Sequence, residues 1–219
     1  CLLIEEYNYK VKIVPRNVDF MKVSKHMSRD AFIASQTKYK ALGIMNDGVG
    51  AGKTNVMLTL LGMDNTKNIN IVIVPPNLHF QWIESIEKYL PSLKYLAITT
   101  YAESLDLMRD KALNDINLII TTTMYIDVIS DMLKSSNKKL NRVIIDEIDT
   151  ASTNFNNIPS CQRIWFMSAS YDPNKEKNIG PFDLSELSID EIGKIISRCD
   201  HDFMRKCQNI KDEPQLRII

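Results

Sequence analysis

The chain has 219 residues and is 44% apolar, enough to bury the core of one large domain or of a domain with an appendage. Lysine plus arginine number 27 and aspartate plus glutamate number 27, so the net charge is zero and no global basic field marks a nucleic-acid binder; any such surface has to be local. No apolar run approaches the length that crosses a bilayer and no signal peptide opens the chain. An intracellular protein with no membrane partner is therefore expected, and a start at Cys1 rather than methionine suggests a fragment.

From Cys1 to Val14 the sequence alternates weakly, as in Tyr9-Lys10-Val11-Lys12-Ile13-Val14, which predicts a strand or hairpin at a sheet edge. Ser28 to Gln36 reads as a short helix. Residues 1–40 are thus a lead-in to a domain over 41–219. Ala41-Leu42-Gly43-Ile44-Met45 then reads as a buried strand, and Thr54 to Leu61 has helical spacing. Between them lies Asn46-Asp47-Gly48-Val49-Gly50-Ala51-Gly52-Lys53-Thr54. Three of only seven glycines fall within this stretch, where side chains have been removed so that the backbone can bend around something. Strand, glycine loop, Lys-Thr and helix form a phosphate-binding loop. Its backbone N–H groups, from Gly48, Val49, Gly50, Ala51 and Gly52 to Asn55, face the anion with the helix N-terminus. Lys53 reaches the β/γ-phosphates of ATP, and the Thr54 hydroxyl takes Mg²⁺. Asp47 stands where the usual pattern has its first glycine.

Asn70-Ile71-Val72-Ile73-Val74 is a continuous β-branched run, the signature of a strand covered on both faces in a parallel sheet, and Pro75-Pro76-Asn77 stops it. The next segment places Leu78, Trp82, Ile83, Ile86, Tyr89 and Leu90 on the inner face of a helix, with Trp82 read as core. Leu93 to Ile98 predicts a short strand and Ala102 to Leu113 an amphipathic helix. Ile116 to Ile120 is a further buried strand ending in Thr121-Thr122-Thr123, a run that by itself reads as a helix-capping turn. Tyr125, Val128, Ile129, Met132 and Leu133 mark one more helix.

Val143-Ile144-Ile145 delivers Asp146-Glu147-Ile148-Asp149 at a strand's carboxyl end, where a doubly wound sheet holds its ligands. A phosphate-loop enzyme needs a carboxylate there. Asp146 suits Mg²⁺, and Glu147 suits orientation of the attacking water. Ile164 to Met167 is another buried strand, ending in Ser168-Ala169-Ser170. Tyr171 to Pro181 reads as a polar loop. Ser188-Ile189-Asp190-Glu191 forms a capping box opening a helix through Ile192, Ile195 and Ile196, with helical character continuing from Cys199 to Cys207. The four cysteines, Cys1, Cys161, Cys199 and Cys207, are too scattered for a disulfide framework. Cys199, His201 and Cys207 with Cys161 offer zinc ligands in principle, but without paired Cys-x2-Cys spacing reduced thiols are expected. Strands interleaved with helices and no internal repeat predict a three-layer α/β domain with a mainly parallel sheet.

Several blocks resemble superfamily-2 helicases and Swi/Snf-type translocases: the acidic residue before the glycine loop, Val-Pro-Pro-Asn-Leu-x-x-Gln-Trp-x-x-x-Ile over 74–86, the Asp146-Glu147-Ile148-Asp149 box, and Ser168-Ala169-Ser170. The likeness covers about residues 41–170. Asn157-Ile158-Pro159-Ser160-Cys161 with the short connection around it is similar to helicases of large DNA viruses, the poxvirus-like and giant-virus groups. The resemblance implies the first of two RecA-like motor domains. It also implies polymer contacts at Pro76, Asn77, Thr121, Thr122 and Thr123, coupling through Ser168, Ala169 and Ser170, and nucleic acid as partner, with DNA favoured over RNA. In this family a glutamine before the loop recognises adenine; Gln36 is the nearby candidate, and a solvated glutamine is the competing reading. The second motor domain, expected in the full-length chain, would bring an arginine finger, so this stretch alone is expected to turn over ATP slowly. A nucleotide-gated interaction module that recruits a transcription or packaging partner without unwinding is the alternative.

Overall fold

A computed structural model describes residues 10–15, 38–63, 68–104, 112–136, 138–150, 158–175, 178–179, 182–185 and 187–197. In chain order the regular elements are β1 (Lys10–Pro15), β2 (Lys38–Asn46), α1 (Lys53–Gly62), β3 (Ile69–Ile73), α2 (His79–Tyr89), β4 (Tyr95–Ile98) and β5 (Leu118–Thr121). They continue with α3 (Ile126–Ser136), β6 (Leu140–Ile145), β7 (Cys161–Ser168), β8 (Asn178–Ile179), β9 (Phe182–Asp183), α4 (Ile189–Ile195) and β10 (Ile196–Ser197). Gln36, the 28–36 segment, Asn157, Cys199, His201 and Cys207 lie outside the described residues.

Six strands run parallel in the order β4-β5-β3-β6-β7-β2. The first half of β2 is closed by antiparallel β1, and its carboxyl end, at Ile44 and Met45, by parallel β10. β9 and β8 extend the sheet beyond β1. The central strands are covered on both faces, which is why they read as unbroken apolar runs. On one face Ile71, Ile73, Val143, Ile145, Ile164 and Phe166 pack with Ile126, Ile129 and Leu133 of α3 and Ile192 and Ile195 of α4. On the other, Met45, Val72, Ile144, Trp165 and Met167 pack with Met57, Leu58 and Leu61 of α1 and Trp82 and Ile86 of α2. This is the expected three-layer α/β domain. Among the described residues no helix is long and apolar enough to cross a membrane.

The structure corrects three expectations. Tyr89 is 52% exposed: α2 packs on the sheet through Trp82 and Ile86, and the Tyr89 side chain lines a cavity instead of joining that core. Ile196 leaves the α4 helix and pairs with β2, whose carboxyl half would otherwise present an open edge. The stretch read as a polar loop contains the buried Tyr171 and the two-residue strand β8. Where a helix is expected over 102–113, residues 101–104 are helical, Ala112–Asp115 forms a 3-10 turn, and Leu105 to Lys111 lie outside the described residues.

Candidate active site

β2, β6 and β7 end side by side, and their carboxyl ends carry the glycine loop, the acidic box and the Ser-Ala-Ser segment. The loop turns through Gly50 (φ 77) and Gly52 (φ 81), left-handed conformations that strain any L side chain. Gly52 is the N-cap of α1 and makes no side-chain cap hydrogen bond, leaving first-turn N–H groups pointing out of the loop. A Cβ placed on Gly48 or Gly52 would meet nothing within 4 Å, so the fold leaves open the space that the loop surrounds. Lys53 is only 8% exposed, and its Nζ donates to the carbonyls of Asp47 (2.7 Å) and Gly48 (3.1 Å), bracing the loop with two of its three N–H groups.

A cavity of about 420 Å³, a size typical of small-molecule sites, opens over this loop. It is lined by Val49, Gly50, Ala51, Gly52, Lys53, Thr54 and Asn55, by Asp146 and Glu147, and by Leu78 with Gln81, Ser85 and Tyr89 of α2. Lys53, Thr54, Asp146 and Glu147 are thereby brought together as the sequence predicted. Gln81, Ser85 and Tyr89 were not anticipated; their four-residue spacing along α2 is the signal that would have placed them on one stripe.

Asp146 is buried, and its carboxylate is held at both oxygens. The Trp82 indole Nε1 donates to Oδ2 (2.7 Å), and the Glu147 backbone N–H donates to Oδ1 (3.0 Å). Burial pushes the Asp146 carboxyl above its ordinary range, outweighing those two hydrogen bonds and the nearby Lys53 charge, which favour the anion. Glu147 is also raised, by burial first, then by the Asp146 and Asp149 charges, with Lys53 opposing. Its backbone has φ 48, the one positive φ at a non-glycine among the described residues, a strain of about 1–3 kcal/mol of the kind that concentrates at functional sites. Asp149 Oδ2 accepts hydrogen bonds from the hydroxyls of Ser168 and Ser170, both at 2.6 Å. The Ser168 oxygen in turn accepts the N–H groups of Ser170 and Tyr171. The Asn46 side chain donates to the Tyr171 carbonyl, so the glycine-loop strand and the end of β7 are tied through one network. Ala169 is half-buried between its two serines.

β3, β5 and β4 end level with one another, with Ile73, Thr121 and Ile98 in register. Pro76 and Asn77 are exposed in the turn before α2, where the Leu78 N–H donates to the Pro75 carbonyl (2.9 Å) and His79 Nδ1 lies 2.6 Å from the Pro76 carbonyl. α2 has no side-chain N-cap. Thr121 and Thr122 are buried, and the Thr121 hydroxyl donates to the Ile98 carbonyl (2.9 Å), so of the three threonines Thr123 alone is partly open to solvent. Beside them stand three exposed apolar side chains that the sequence reading passed over: Phe80 (67%), Tyr101 (68%) and Met124 (74%). Among the described residues no cluster of three His, Cys, Asp or Glu side chains could hold a metal, and Cys161 forms no disulfide.

The SNF2-related domain family model matches residues 22–157, more than half of the chain. The chain belongs to the SNF2-related domain family. This is a family of helicase-type ATPase domains. The fold is similar to that of the Sulfolobus solfataricus SWI2/SNF2 ATPase core solved in complex with dsDNA, with TM-score 0.50 and 18% identity over 71% of this chain. The Pyrococcus furiosus Hef helicase domain aligns at TM-score 0.47 and 19% identity, over 71% of this chain and 34% of its own. The SNF2-related chain spans 39% of the SWI2/SNF2 core's length. No curated protein matches the chain.

Proposed function

We propose that this SNF2-related domain is the ATP-binding half of a nucleic-acid-dependent ATPase, a helicase or translocase that couples ATP hydrolysis to movement on a polymer. The observation that carries the reading is the convergence of the glycine loop, Lys53, Thr54, Asp146 and Glu147 on one cavity. An ATP polyphosphate would lie against the loop amides and the α1 N-terminus, with the Lys53 ammonium turning from the loop carbonyls toward the β/γ-phosphates. Thr54 and Asp146 form an oxygen-donor set of the kind Mg²⁺ takes, one carboxylate and one hydroxyl completed by phosphate and water, and a cation there would relieve the repulsion between Asp146 and Glu147. Bound Mg²⁺ supplies charge neutralisation on the phosphates. Glu147, held in its strained backbone beside Asp146, would orient the attacking water and take its proton.

The polymer side of the reading rests on the level strand ends. Pro76, Asn77 and the amides at Thr122 and Thr123 would meet phosphates without reading sequence, and Phe80, Tyr101 and Met124 offer faces for exposed bases or sugars. Ser168, Ala169 and Ser170 would pass the state of the nucleotide site outward through Asp149. DNA is the favoured polymer. A second RecA-like domain in the full-length protein would close the cavity and contribute an arginine.

The test is fluorescence anisotropy of labelled single-stranded DNA, double-stranded DNA and RNA titrated with full-length protein in nucleotide-free, ADP and non-hydrolysable ATP states. Affinity should change with nucleotide state and fall steeply with salt as phosphate contacts release counterions. Polymer affinity that ignores the nucleotide would contradict the reading.

A further inference from the structure

Trp82 carries a polar atom that packing alone does not require. The side chain is 1% exposed in the core between α2 and the sheet. Its Nε1–H points at Asp146 Oδ2, 2.7 Å away and 64 residues distant in sequence. Because Oδ1 is already engaged by the Glu147 N–H, the indole bond fixes the rotation of the carboxylate plane. It also supplies a donor to a buried anion, the situation in which a missing partner costs most. Trp82 further sits one turn into α2, its own N–H bonded to the Leu78 carbonyl (3.2 Å) and Leu78 bonded back to Pro75 (2.9 Å). The Pro75–Asn77 turn, exposed at Pro76 and Asn77, and the cation-site carboxylate are thus joined through one helical turn.

We propose that Trp82 is a positioning residue for the nucleotide site: its indole N–H sets the Asp146 carboxylate for the divalent cation and ties that carboxylate to the turn that opens α2. The inference rests on the Mg-nucleotide and polymer reading given above. It assigns to a core aromatic a part in cation affinity that no periodicity in the sequence reveals.

The test uses the full-length protein and a fluorescent ADP, titrated with Mg²⁺ and again with EDTA. The variants are Trp82→Phe and an isosteric replacement of Trp82 by benzothienylalanine, which keeps the ring shape and removes only the N–H. Both should lower the Mg²⁺-dependent affinity about tenfold, the scale for losing a hydrogen bond to a charged group, while leaving the affinity in EDTA unchanged. Saturating DNA should shift Mg-ADP affinity in the wild type and shift it less in the variants. Should Trp82→Phe fail to fold, the isostere decides. Equal losses in Mg²⁺ and EDTA, or no loss in either, would overturn the positioning role. A Mg²⁺-specific loss with the DNA effect intact would overturn the tie to the α2 turn. Wild-type protein that binds no nucleotide would instead sink the site reading, a result distinguishable from all of these.

Discussion

Gly43→Ala should destabilise the domain although it adds only a methyl group and removes a flexible residue from a strand. Gly43 lies on β2 directly opposite Trp165 of β7. A Cβ there would stand 2.4, 2.5 and 2.6 Å from the indole Cζ3, Cε3 and Cη2 atoms, more than 1 Å inside ordinary carbon contact. Trp165 is 3% exposed and packed in the same cluster as Met45, Met57 and Met167, so the ring has no free direction of escape. Replacing glycine in a strand gains roughly 0.5–1 kcal/mol, whereas overpacking a rigid ring costs about 1–3 kcal/mol or somewhat more. The net loss is about 1 kcal/mol. For a chain of this size that lowers Tm by about 2–4 °C in a thermal melt. Adding Trp165→Phe removes the atoms that collide, so the double variant should be more stable than the sum of the single effects. A Gly43→Ala protein melting at or above the wild type would refute the contact and, with it, the pairing that sets the glycine loop beside the Ser-Ala-Ser segment.

Asp149→Ala should cost about 1–2 kcal/mol, because the buried Ser168 hydroxyl loses its acceptor; chemical denaturation of Asp149→Ala, Ser168→Ala and the double variant should give a clearly non-additive cycle. Asp146 and Glu147 both have carboxyls raised in the folded state, so the folded chain holds more protons than the unfolded one between the ordinary carboxylate pKa and the raised value. Their contribution to stability therefore falls as pH rises through that window and is recovered on acidification. Glu147→Gln should flatten this part of the pH–stability curve and raise Tm near neutral pH, by about 1–2 °C after discounting for solvent screening. Measured in the absence of divalent cation, a lower Tm for Glu147→Gln would contradict the like-charge crowding at this corner.

Much of the architecture was legible because the central sheet is parallel and doubly covered. Ile71 to Val74, Leu118 to Ile120 and Val143 to Ile145 must be apolar on both faces, and such runs need no partner to be recognised. The glycine loop was legible for a different reason: Gly50 and Gly52 occupy backbone conformations that few other residues tolerate. What escaped was set by distant partners. Nothing near Trp82 announces that its N–H meets a carboxylate 64 positions on. Tyr89 has the helical spacing of a core residue, yet it lines the cavity and stays 52% exposed. Ile196 continues a helical pattern but is claimed by an open strand edge, and two-residue ladders such as β8 with β9 are too short to carry any period. Thr121 to Thr123 read as a helix-capping turn, and the burial of Thr121 and Thr122 before the chain turns at Thr123 carries no signal in the sequence.

The most direct test of a polymer-coupled ATPase is the steady-state ATPase rate of the full-length protein, with and without single-stranded DNA, double-stranded DNA and RNA, beside the Glu147→Gln variant. The account predicts low basal turnover, marked stimulation by one class of polymer with DNA favoured, and loss of turnover in the variant while nucleotide is still bound. ATP binding with no polymer-dependent turnover, or a rate that survives Glu147→Gln, would contradict it.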